Sequence, residues 1–189
     1  MSLDVVDLRN FYAQPLGAVA RRFVSRGIRA RWPETRDQRI CGVGYATPYL
    51  GLFREEAERC LAFMPAAQGV VKWPSKLPTL TALVEDRDLP LADAAVDRVL
   101  LVHALEMSMD AEAMLRDVWR VLAPGGRLLA VTNHRKTSLG ALRRVLRAAA
   151  ARAHVSVDKL KDLPAGLDCP DGPDGPVPSK SVLVTLGRR

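Results

Sequence analysis

The chain of 189 residues is poor in cysteine, histidine and aromatics, with three Cys, three His and only 5% Phe, Trp and Tyr. Cys41, Cys60 and Cys169 stand far apart, and no spacing joins them to His103, His134 and His154 as a zinc site, so no metal is expected. An odd, sparse cysteine count suits a reducing compartment, where lone thiols mostly serve as small apolar side chains. No apolar run nears the ~20 residues that a membrane helix needs. The opening MSLDVVDLRN places two Asp ahead of any long apolar stretch, unlike a secretory leader. A cytoplasmic protein without a membrane partner is the expectation. The scarcity of aromatics also leaves no strand that could serve as a stacking platform for RNA bases.

What the chain does have is a core. At 48% apolar residues it can bury a sizeable interior as one domain without covalent staples. Its net charge of +7 comes from Arg concentrated in 21–39 and mixed Arg and Lys in 135–161, with an acidic stretch at 85–97 between them. In both basic stretches the charges interleave with apolar positions at helical spacing, which reads as two amphipathic helices with solvated faces. RNA as a partner rests on net charge alone.

Leu16, Val19, Ala20, Phe23 and Val24 form one stripe of a leading helix, with Pro15 suited to its first turn and Gly27 to its end. RICGVG (39–44) is a short buried run ending in glycines. From about Tyr49 a second helix is expected to carry Leu50, Phe53, Ala57, Cys60 and Leu61. The runs GVVKW (69–73), LTALV (80–84) and RVLLVH (98–103) read as strands buried on both faces. Asp110 can cap a helix with Met114, Leu115, Val118 and Leu122 inward, stopped by Pro124-Gly125-Gly126 before the strand RLLAVT (127–132). An Ala/Arg-rich helix from Ser138 to about Ala153, a Pro/Gly/Asp-dense loop at 164–178 and a last strand SVLVTLG complete the order. Such alternation implies an α/β, doubly wound, mostly parallel sheet with helices on both faces. One domain spans 1–189: a helical segment (1–37), a core (38–132) and a C-terminal helix, loop and strand (133–189).

In such a sheet, ligands bind beyond the carboxyl ends of the strands where strand order reverses. That places attention on GVGYATP (42–48), where Gly42 and Gly44 remove side chains so that the backbone at Tyr45 and Ala46 can approach a ligand. The stretches TALVEDRDLPLADAAVDRVLLVHALE (81–106) and DAEAMLRDVWRVLAPGGRLLAV (110–131) then closely resemble the central region of class I S-adenosylmethionine-dependent methyltransferases. The shared features are an acid at Glu85 or Asp86, Leu89-Pro90, Asp93, Asp97, Leu105-Glu106 and Leu122-Ala123-Pro124-Gly125-Gly126.

The resemblance implies a Rossmann-like methyltransferase sheet with an antiparallel C-terminal strand, S-adenosyl-L-methionine as cofactor, and methyl transfer to an unidentified, small acceptor. It places cofactor-binding residues at Gly42, Gly44, Tyr45, Ala46, Trp73, Glu85, Asp86 and His103, with Glu85 or Asp86 meeting the adenine amino group. His103 and His134, past the fourth and fifth strands, are the candidate bases, since imidazole titrates near working pH. Two departures from the family pattern stand out. Gly42 occupies the place of the acid in the first motif, and Val71-Lys72-Trp73-Pro74 stands where an acid usually ends strand two. An inactive, methyltransferase-like interaction or regulatory protein is therefore the alternative. A nucleotide-dependent oxidoreductase fits less well, because the third glycine is missing. No Asn/Asp-Pro-Pro-aromatic motif comes after strand four, which disfavours nucleobase amino groups as acceptors. With little chain left for a substrate cap, the pocket is expected to be closed by residues 1–15 and the 158–178 loop, or by a protein partner or second copy.

Overall fold

The computed structural model describes residues 4–133 and the strand at 181–187. Helix α1 (Val5–Ala13) leads through Gln14 into α2 (Pro15–Arg31). Next come β1 (Arg39–Gly44), a single turn α3 (Thr47–Leu50), β2 (Arg59–Pro65), β3 (Thr81–Val84) and β4 (Val96–Val102). Helix α4 (Ala111–Val121), β5 (Leu122–Asn133) and β6 (Ser181–Gly187) complete the described elements. The sheet has six strands in the order β3-β2-β1-β4-β5-β6, so strand order reverses between β1 and β4. Strands β1 to β5 pair in parallel, and β6 runs antiparallel to β5 with Asn133 opposite Ser181.

Continuous apolar runs make sense here because both sheet faces are covered. Cys41, Val43, Val99, Leu101, Leu128 and Ala130 face α4, whose Met114, Leu115, Val118 and Val121 close one core. Their sequence neighbours Ile40, Leu100, Val102, Leu129 and Val131 face the opposite side, where Val24, Ile28 and Trp32 close the second. Helix α4 begins as expected: the Asp110 carboxylate accepts from Ala113 N at 2.9 Å. Arg120 near its end reaches back to Leu89 O, Leu91 O and the carboxylates of Asp93 and Asp117, which ties the 89–93 turn to the helix.

Several expectations are corrected. Helix α2 runs past Gly27 to Arg31. Strand β5 starts at Leu122, five residues ahead of the expected Arg127. The helix expected over 49–61 amounts to α3 alone, continued by hydrogen-bonded turns, and Cys60 and Leu61 belong to β2. The run Cys60–Met64 is as apolar as any other in the chain, and in the sheet it buries Cys60, Ala62, Phe63 and Met64. Residues 69–73, expected as the second strand, lie outside the sheet, with Val70 and Lys72 exposed. Helix α1 had no forecast; its only buried residue is Leu8, so it carries almost no amphipathic signal. The expected helix at 138–153 and loop at 164–178 lie outside the described residues.

Candidate functional site

The carboxyl ends of β1 and β4 meet at the reversal of strand order. Gly44 has φ +81°, and a Cβ there would stand 2.3 Å from Val102 O, so glycine is required for the two strands to close. The Tyr45 N–H donates to Val102 O at 2.8 Å and that of Ala46 to Gly44 O at 2.9 Å. Gly42 serves packing as well: a Cβ would lie 2.6 Å from that of Ala46 and 2.7 Å from Leu50. An acid at position 42 is therefore sterically excluded by the turn after it. The glycines of this loop let chain approach chain, and the backbone donors that sequence reasoning reserved for a ligand are engaged within the fold.

Just past β4, His103 adopts φ +52°, a left-handed conformation uncommon for residues other than glycine that Asp37 and Ala94 share in this chain. Its surroundings hold it there. The backbone N–H donates to Val131 O at 3.2 Å, Nδ1 lies 2.9 Å from Glu106 Oε1, and Nε2 lies 3.1 Å from the Tyr12 hydroxyl. The Glu106 side chain is only 2% exposed. With a carboxylate facing Nδ1, the neutral ring carries its proton on that nitrogen and leaves Nε2 as an acceptor. Tyr12 then donates to Nε2, and the Tyr49 hydroxyl, 2.9 Å away, donates to Tyr12.

Tyr12 reaches this point from α1, which lies across the ends of the strands. Asp4 caps the helix, Val5 N donates to Gln68 O at 2.8 Å, and Leu8 packs with Tyr45 and Met64. The Tyr12 ring stacks on Tyr45 with centroids 5.6 Å apart and planes at 22°, and meets Tyr49 edge-on at 6.0 Å. Helix α1 therefore packs on residues that follow β1, β2 and β4. Burial pushes the Tyr12 hydroxyl far above the usual phenol range and the Tyr49 hydroxyl up to about 12, so both remain protonated donors.

Beyond β2, at the place given to Lys72 by sequence, the chain instead offers Gln68. Its side chain spans to His103 O, with Nε2 at 3.4 Å, and its buried Oε1 has no partner among the described residues. Asp86, after β3, accepts from Ser108 Oγ at 2.6 Å, which ties the loops after β3 and β4 together. Glu85 is exposed and bridges through its backbone to Asp88. Trp73 is half-buried against the α2-side core. Gly44, Tyr45, Ala46 and His103 thus meet, while the Trp73 and Glu85 side chains have separate surroundings. His134 lies outside the described residues. Sequence reasoning missed Tyr12, Tyr49, Gln68 and the role of Glu106; only the last left a signal, its spacing of three from His103. Among the described residues no group of three His, Cys, Asp or Glu side chains could hold a metal ion.

Residues 40–130 match the family model of a methyltransferase domain. Solved structures with the same fold include YcgJ from Bacillus subtilis, at a TM-score of 0.65 and 15% identity over 88% of this chain and 99% of that one. An S-adenosylmethionine-dependent methyltransferase from Mesorhizobium loti gives 0.59 at 14% identity, with 86% and 96% covered. A chain in the complex between the Haloferax volcanii Trm112 methyltransferase activator and its candidate methyltransferase gives 0.63 at 16%, with 86% and 87% covered. No curated protein matches the sequence. The fold is that of S-adenosylmethionine-dependent methyltransferases, and residues 40–130 carry the likeness to the methyltransferase domain in sequence as well.

The family match and the S-adenosylmethionine-dependent methyltransferases that share the fold indicate S-adenosylmethionine as the cofactor. The acceptors at the strand ends fit its nucleoside half: the orphaned Gln68 Oε1 suits a ribose hydroxyl and the Asp86 carboxylate suits the adenine amino group. The methionine ammonium finds no acid at position 42, where packing forbids one. No helix among the described residues is long and apolar enough to cross a membrane.

Proposed function

We propose that the chain transfers a methyl group from S-adenosylmethionine to a small acceptor, and that His103 takes the acceptor's proton. The observation that carries this reading is the imidazole itself. It stands at the reversal of strand order in a strained backbone conformation, oriented through Nδ1 by a buried carboxylate and presenting Nε2 to a hydroxyl. Strain of this kind persists where surrounding contacts over-determine it, and such positions cluster at working sites.

The cofactor supplies an activated methyl on a sulfonium, which leaves as a neutral thioether. The protein's share is to align the acceptor, exclude water and receive the proton. Gln68 and Asp86 would hold the nucleoside end. Glu106 fixes the tautomer of His103, and the tyrosines around it keep the imidazole in a dry, aromatic setting. His134 is the second candidate base and Trp73 and Glu85 further cofactor contacts, proposed from the family pattern alone.

Titration calorimetry with S-adenosylmethionine and its demethylated product tests the reading. Micromolar binding, weakened at least tenfold in Asp86→Ala, is expected; no heat at millimolar ligand would leave a methyltransferase fold without the activity. RNA as the acceptor is supported only by the +7 charge. Retention on RNA that falls steeply with added salt would favour it, and no retention at low salt removes it. A protein partner is supported by the likeness to the Haloferax chain, whose complex contains an activator.

A further inference from the structure

Tyr12 is a phenol held as a bound phenol would be. Its ring stacks on Tyr45 and lies edge-on to Tyr49, and its hydroxyl donates to His103 Nε2 at 3.1 Å and accepts from the Tyr49 hydroxyl at 2.9 Å. These contacts read both parts of an aryl alcohol, ring and hydroxyl, and the hydroxyl faces the one imidazole that the site presents. The helix that delivers Tyr12 is lightly held. Leu8 is its only buried residue, Val6 and Phe11 are exposed, and it joins α2 through a single extended residue, Gln14, which gives no side-chain cap. Elements with so few buried contacts open at small cost.

We infer that the Tyr45–Tyr49–His103 box is the acceptor's seat and that the acceptor is an aryl alcohol, for which Tyr12 stands in until it is displaced. The inference rests on the methyl-transfer reading and names its substrate class. The aryl hydroxyl gives its proton to His103 Nε2 and an oxygen lone pair to the methyl carbon, as the bond from that carbon to sulfur breaks onto sulfur. An aryl methyl ether, a thioether and a protonated imidazole result. Aryl amines and carboxylates of the same shape fit worse, because the box offers a ring face, a hydroxyl donor and an imidazole acceptor in the arrangement that a phenol satisfies.

The test is calorimetric titration of the full chain, without cofactor, using 4-methylphenol, toluene, 4-methylaniline and 4-methylbenzoate. Tyr12→Ala, which removes the competitor, is expected to bind 4-methylphenol at least tenfold more tightly than wild type does and at least tenfold more tightly than it binds the other three. His103→Leu in that background abolishes the preference over toluene. Tyr12→Phe, which keeps the ring and the packing, covers the case in which Tyr12→Ala does not fold, and is expected to bind 4-methylphenol several-fold more tightly than wild type. Equal affinity in wild type and Tyr12 variants, or no preference for the phenol over toluene, overturns the proposal. So does an N-methyl amine or a methyl ester, in place of 4-methylanisole, as the main product once S-adenosylmethionine is added. Cofactor binding without phenol selectivity sinks the acceptor class alone, whereas phenol selectivity without cofactor binding upholds the box and sinks methyl transfer.

Discussion

Strands β1 and β4 run side by side, and their two ends are held by opposite chemistry. At the amino ends Arg39 gives Nε and Nη2 to the Asp97 carboxylate at 3.0 and 3.1 Å, and its backbone N–H adds a third bond at 2.9 Å. At the carboxyl ends the groups are three phenols, an imidazole and an amide, with one carboxylate sealed beneath them. The first arrangement is half-exposed and pairs its charges, and the turns that lead into it also hold Asp37 and Ala94 at positive φ. The second contains a histidine at positive φ, a glycine that tolerates no Cβ and a buried amide oxygen without a partner. Positive φ is therefore common to both ends, and what sets the carboxyl end apart is its unsaturated polar groups. Reaction chemistry needs groups that are oriented and still unsaturated.

Substitutions at the two ends sharpen this contrast. At the carboxyl end, His103→Ala is expected to lower kcat by about 10²–10⁴-fold while S-adenosylmethionine affinity stays within severalfold, as measured by initial rates and calorimetry. Unchanged kcat would remove His103 from the chemistry. Gly44→Ala forces a side chain into a left-handed conformation against Val102 O. It should destabilise the protein by about 3 kcal/mol, or roughly 6–12 °C in melting temperature. If the melting curve does not move, β1 and β4 leave room for a methyl group at their carboxyl ends.

Two milder changes complete the comparison. Glu106→Gln keeps the shape and removes the charge that fixes the His103 tautomer, so kcat should fall about tenfold or more with KM little changed. A loss confined to KM would mark Glu106 as part of binding instead. At the amino end, Asp97→Asn should cost only about 1 kcal/mol and leave cofactor binding intact. Arg39 holds the Asp97 carboxyl below its usual range in the folded state. The pair's contribution is therefore present above the unfolded carboxylate's pKa and is lost as pH falls through the lower folded value. Melting temperatures of wild type and Asp97→Asn should converge in acid; a gap that persists there would show that packing, rather than charge, sets the difference.

The half of the sheet from β4 to β5 was readable because its local signals agree. Val96–Val102 is a continuous apolar run, Asp110 caps the next helix, and Met114, Leu115, Val118 and Val121 repeat at helical spacing. The half around β2 was not, because Cys60–Met64 satisfies a helix stripe and a buried strand equally well until neighbouring strands are present to bond it. Of the site, the glycine loop and His103 were found from the residues and the family pattern. The Glu106 spacing was visible, but the pairing depends on the backbone turn at His103. Nothing near Tyr12 in sequence points ninety-one residues ahead to an imidazole.

The order of apolar runs, caps and glycines determined the parallel sheet, since those signals are local and recur at the period of the element they build. Only the tertiary structure decided what fills the end of that sheet. Tyr12, the pair Tyr45 and Tyr49, Gln68, and the pair His103 and Glu106 come from four segments, and their hydrogen bonds and ring contacts exist only once helix α1 packs at the ends of strands whose order reverses.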